Sequence, residues 1–92
     1  MEIEHKPRDH KGSFIHQKDS EILAEMTYSK AGDTMLIIDH TEVSEKLRGT
    51  GAGVKLVEYA VNFARQNHMK LMPLCPFAKS VFEKREDLRD VL

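Results

Sequence analysis

The spacing of apolar residues changes once along this chain, near residue 48, and that change restricts the fold more than any other feature. Upstream, apolar residues stand in short runs between turn-prone clusters. Ile3, among charged neighbours, is a candidate edge strand. Phe14-Ile15-His16 follows Asp9-His10-Lys11-Gly12 and predicts a short strand, and Ile22 to Tyr28 predicts another. Ala31-Gly32-Asp33 supplies the next turn, since glycine tolerates the positive φ of a tight hairpin. Thr34 to His40 is the strongest strand, because Met35, Leu36, Ile37 and Ile38 suit burial on both faces. Together these segments predict an antiparallel meander.

Downstream, Val54, Val57, Ala60, Val61 and Ala64 recur at helical spacing, with Lys55, Glu58, Asn62, Arg65 and Gln66 on the other side. A helix over 50–66 follows, stopped at Asn67 because asparagine accepts the left-handed conformation that ends many helices. Lys70-Leu71-Met72 predicts a short strand whose ladder Pro73 should interrupt. Pro76 favours a helix start, and Phe77, Ala78, Val81 and Phe82 give that helix an apolar stripe. Strand, helix and strand make a βαβ unit with parallel strands and a right-handed crossover. The expected class is α+β: an antiparallel N-terminal meander leading into a βαβ unit with a C-terminal helix.

At 92 residues this is one domain, residues 1–92, with no room for a second core. Fourteen basic and 15 acidic side chains leave a net charge of −1, which argues against a nucleic-acid partner. The charge is uneven, however: residues 1–46 carry −4 and residues 47–92 carry +3. That asymmetry is either ordinary surface variation or a sign that the second half handles an anion. One cysteine excludes an internal disulfide and a thiolate-rich zinc site, and the other histidines (His5, His10, His16, His68) lack paired metal spacing and read as surface residues. No metal is expected. The apolar runs are too short to span a membrane and the charged start is no signal-peptide core, so a cytoplasmic protein without a membrane partner is expected. With no unusual apolar surface in the pattern, a monomer is the default.

Leu47-Arg48-Gly49-Thr50-Gly51-Ala52-Gly53 separates the strongest strand from the strongest helix. A glycine-rich turn there exposes backbone N–H groups at the positive end of the helix dipole, which favours phosphate; it can equally serve close packing alone. The Walker A pattern cannot be read here, and the glycines run G-x-G-x-G rather than G-x-G-x-x-G.

Arg48-Gly49-Thr50-Gly51-Ala52-Gly53 does match R-x-x-G-x-G, and by it the chain resembles the GNAT superfamily of N-acetyltransferases. Val43 and Leu47 fall where that family has apolar residues before the arginine. The resemblance spans about 21–85. His40-Thr41-Glu42-Val43 and Pro73-Leu74-Cys75-Pro76-Phe77 point to its small single-domain branch. It implies that Val43, Arg48, Gly49, Thr50, Gly51, Ala52 and Gly53 bind acetyl-CoA through its pyrophosphate. The pantetheine arm would lie between two splayed parallel strands. Many members carry a general-acid tyrosine on the last helix; the nearest position here is Phe82, which has no hydroxyl.

Cys75 follows a strand and precedes Pro76, which sets it at the start of the last helix. A thiol there is either a small buried hydrophobe or a thiolate favoured by the helix dipole. In the small branch a cysteine at this place is proposed as acetyl acceptor. His40 ends the strand parallel to that of Cys75, so both fall at the sheet edge where ligands bind in open α/β layers. His40 is then a general base toward the thiol or an amine, or a strand-end histidine bonded to backbone. Glu42 is an alternative base, on the same side as His40 if the strand continues. Lys79, Lys84 and Arg85 form a solvated face or reach the 3′-phosphate of coenzyme A.

The expected function is acetyl-CoA-dependent transfer of an acetyl group to an unidentified amine acceptor, with Cys75, His40 and Glu42 as catalytic candidates. The alternative is a coenzyme A-binding module without turnover. A small interaction domain without a ligand stands third.

Overall fold

A computed structural model describes all 92 residues. Five strands form one mixed sheet in sequence order: β1 (Glu4–Arg8), β2 (Lys11–Lys18), β3 (Glu21–Ala31), β4 (Met35–Val43) and β5 (Lys70–Pro73). The first four are antiparallel neighbours, and β5 joins β4 in parallel. Helix α1 (Ala52–Gln66) makes the crossover and α2 (Pro76–Lys84) follows β5. Short 3-10 turns occupy Glu45–Leu47 and Glu86–Val91. The α+β meander and βαβ unit are as the apolar spacing predicts.

Both helices lie on one face of the sheet. Phe14, Ala24, Met26, Tyr28, Leu36 and Ile38 meet Leu56, Val57, Ala60, Val61 and Ala64 of α1 and Ala78, Val81 and Phe82 of α2 in one cluster. The alternating positions Ser13, Glu25, Thr27 and Ser29 turn to the opposite, helix-free face, as the two-residue period of a strand requires. Leu88 and Val91 of the last 3-10 turn also enter the core. That turn is fastened by Arg65 to Asp90 at 2.6 Å and by Arg85 to Asp87 at 2.8 Å.

Several local expectations change. β1 is a full edge strand rather than an isolated Ile3, because the β1–β2 ladder aligns five residue pairs. His5 is not a free surface group: its ring packs on Phe14 and Phe63 and bonds the Tyr28 hydroxyl. Helix α1 does end at Asn67, but Asn67 has φ −105° and the left-handed residue is His68 at φ 56°. The β4–β5 ladder does end at Pro73, and Leu74 and Cys75 just beyond it both donate to the Ile38 carbonyl. Leu56, absent from the expected stripe, is fully buried, whereas Val54 is half-buried.

One irregularity decides the geometry that follows. The β3–β4 register shifts between Thr27 and Tyr28: Tyr28 faces Ile38, whereas Thr27 faces His40, leaving Asp39 as a one-residue bulge. Ile38 points into the core, so an unbroken strand would put His40 there as well. The extra residue reverses the parity. Thr41 and Val43, opposite Met26 and Ala24, take the core side. His40 and Glu42, opposite Thr27 and Glu25, take the helix-free side.

Candidate active site

β4 and β5 pair only from Met35–Ile38 to Lys70–Pro73, although β4 runs on to Val43. Beyond Ile38 the strands part, because β5 turns into α2 at Cys75 while β4 continues. Thr41 and Val43 line one side of the opening; Leu74, Cys75 and Phe77 line the other. Val43, Leu74 and Phe77 are large apolar side chains left 40%, 52% and 39% exposed, which gives the opening an apolar rim.

The glycine turn opens at the same edge. Ser44 caps the 3-10 turn by accepting from the Lys46 N–H, and the Arg48 and Thr50 amides bond the Glu45 and Leu47 carbonyls. The first amide of α1 with a partner is that of Lys55, which reaches the Gly51 carbonyl at 3.0 Å. The N–H groups of Gly49, Gly51, Ala52, Gly53 and Val54 bond nothing within the chain. Gly51 caps the helix in the left-handed region, φ 75°, with no side-chain cap and no acidic residue in the first turn. A helix start normally has an acceptor or an acid there. This one presents bare donors with the positive dipole end behind them, the arrangement that suits an anion.

The glycines serve different ends. Gly49 (φ 78°) and Gly51 hold conformations that strain other residues, and a Cβ on either would meet open space. Gly53 is a packing glycine: its Cβ would come within 2.6 Å of the Phe77 ring. The Thr50 hydroxyl is spent on the Leu47 carbonyl at 2.6 Å, so Thr50 shapes the turn. Arg48 stands exposed beside it.

Cys75 is the N-cap residue of α2 and is 5% exposed. Its sulfur lies 3.5 Å from the Thr41 hydroxyl. Burial pushes the thiol up. The Thr41 hydroxyl and the amides of Ala78, Phe77 and Thr41 outweigh it, and the balance falls below the usual cysteine value. His40 takes no part in this. Its Nε2 lies 2.9 Å from Glu42 Oε1 on the helix-free face, both side chains exposed. The expected His40–thiol pair is therefore not formed, and the Asp39 bulge is the reason. Thr41, which sequence reasoning passed over, stands in that place instead. No residue near Asp39 marks a bulge in the sequence, since the register belongs to the pairing with β3.

Arg85 is also committed elsewhere, to Glu58 at 3.1 Å and to Asp87, which removes it from the candidates for a coenzyme A phosphate. Lys79 and Lys84 stay exposed without partners. Phe82 is 3% exposed in the core, far from any proton-donating role.

The model of the GCN5-related N-acetyl-transferase family matches residues 13–91. The chain belongs to that family. Its fold is shared with a GCN5-like protein of Staphylococcus aureus, at 38% identity and TM-score 0.73, covering 96% of this chain and 85% of that one. The ribosomal-protein-alanine N-acetyltransferase of Brucella melitensis is similar at 16% identity and TM-score 0.68, over 84% of this chain and 62% of that one. Tetrahymena GCN5 is similar at 15% and 0.66, over 84% and 51%. At such identities the last two speak for the fold alone. No curated protein matches the sequence. Membership in this family supports acetyl transfer in general, and acetyl-CoA is the usual acetyl donor of its members.

Proposed function

We propose that this protein is an acetyl-CoA-dependent N-acetyltransferase that carries the acetyl group through Cys75. The observation that carries the reading is the set of five unbonded amides, from Gly49 and Gly51 to Val54, opening at the same sheet edge as the Cys75 thiol. The amides receive the pyrophosphate, with Arg48 beside them, and the pantetheine arm follows the apolar rim of Val43, Leu74 and Phe77 into the opening. The thioester carbonyl then lies against Cys75.

In the first step the Cys75 thiolate attacks that carbonyl, a new C–S bond forms, and coenzyme A leaves as its thiolate, which takes a proton from solvent. In the second an amine attacks the acetyl-cysteine, the C–S bond to Cys75 breaks, and the thiolate is restored. The attacking nitrogen sheds its proton to solvent, since His40 and Glu42 lie on the opposite face of the sheet from Cys75. The buried Phe82 favours a route without a tyrosine acid; it also keeps open a second reading, coenzyme A binding without turnover.

Amide NMR during coenzyme A titration, with mass mapping after incubation with acetyl-CoA, tests both. The expected result is shifts concentrated on Arg48 to Val54 and one acetyl group on Cys75. Binding without acetylation would leave the module reading, unless acetyl transfer persists in Cys75→Ala, in which case the amine attacks directly. No shift at millimolar ligand would overturn both readings.

A further inference from the structure

Outside the glycine turn, the least accounted-for side chain is Thr41. It sits in the unpaired reach of β4, half-buried, on the core side where periodicity from Ile38 would have put His40. Its hydroxyl touches the Cys75 sulfur at 3.5 Å. The same bulge that turns its side chain inward also turns its N–H toward β5, because in a strand the side-chain face and the hydrogen-bonding direction alternate together. In the structure the Cys75 S–H donates to the Thr41 hydroxyl, and the Thr41 N–H and the amides of Phe77 and Ala78 join that hydroxyl in favouring the thiolate.

We propose that Thr41 is the positioning residue that holds Cys75 as a thiolate, in place of the neighbouring histidine that other activated cysteines use. The inference rests on the reading of Cys75 as acetyl carrier, but its physical content stands without turnover. A hydroxyl donor can rotate: it donates to the sulfur when charged and accepts from the S–H when neutral. Histidine at this distance would leave a cation beside the site once the thiol had lost its proton. Threonine stabilises the thiolate without adding charge, and it remains neutral when the sulfur becomes a thioester. No ionisable side chain is among the groups that shift the thiol, so its titration should be a single step. The titratable residues that flank Thr41 on its own strand, His40 and Glu42, both point to the other face.

The experiment is the pH profile of iodoacetamide alkylation of Cys75 in the full chain, for wild type, Thr41→Val and Thr41→Ser. Valine keeps the shape and the strand preference and removes only the hydroxyl. The proposal expects the Thr41→Val midpoint to move upward and the rate at neutral pH to fall about tenfold, the size of effect a hydrogen bond to a charged group carries. Thr41→Ser should restore the wild-type midpoint. An unchanged midpoint in Thr41→Val, or a serine variant that behaves like valine, would overturn it. Amide shifts of the Arg48–Val54 turn with coenzyme A report whether each variant is folded. If wild-type Cys75 takes no acetyl group while the alkylation midpoint still depends on the hydroxyl, the carrier reading fails and the role of Thr41 stands.

Discussion

Replacing Gly51 with alanine separates the strain of the turn from contact with a ligand. Gly51 has φ 75° and ψ 20°, and a Cβ there would have no neighbour within 4 Å. The protein therefore imposes no clash, and the cost is that of left-handed backbone, about 1–2 kcal/mol for a residue with a Cβ. Restricting the unfolded chain returns about 0.4–1 kcal/mol, so the net loss is roughly 1 kcal/mol. For a domain of this size that is a fall of about 4–8 °C in Tm. Gly32, in the β3–β4 turn, is a matched control: φ 67°, with open space around its Cβ as well. Gly32→Ala should lose a similar amount of stability and keep coenzyme A binding. Gly51→Ala should lose both, because its Cβ would fill open space at the turn where the pyrophosphate is placed. Calorimetry and isothermal titration of the two variants decide it. Equal binding by the two would refute the placement of the pyrophosphate on this turn, and an unchanged Tm in Gly51→Ala would refute the strain argument.

Gly12 faces Tyr28 across the β2–β3 ladder, and a Cβ at Gly12 would collide with the Tyr28 ring. Gly12→Ala should therefore destabilise by about 1–3 kcal/mol, read from urea midpoints, since the ring is fully buried and cannot swing out. Acid should weaken the fold in two stages. Burial and the charge of Lys30 lower His5 below its ordinary value, so its contribution is complete above about 6.5 and is lost as pH falls from there to the lowered value. Asp87 and Asp90, lowered by hydrogen bonds from Arg85 and Arg65, contribute above the ordinary carboxylate range and lose that contribution only as pH falls through their lowered values. A Tm series from pH 8 to pH 3 should show both stages, and His5→Phe should remove the upper one alone.

Much of this protein is written locally. The two-residue and helical periods, the left-handed glycines of the turn, and proline at the start of α2 each act through neighbours a few positions away, so the sequence alone determines the meander, the crossover helix, the exposed amides and the placement of Cys75 at a helix start. The last 3-10 turn escaped because Leu88 and Val91 are too few to show a period, and the turn is held from α1, by Arg65 on Asp90 and by Glu58 on its capping Arg85. His5 escaped for a similar reason, its aromatic surroundings coming from β2, β3 and α1. What only the tertiary structure decided is which residue of β4 meets the thiol. Alternation counted from Ile38 selects His40. Pairing with β3 inserts Asp39 as a bulge and selects Thr41, and that parity belongs to a ladder between two strands, which no periodicity within one strand contains.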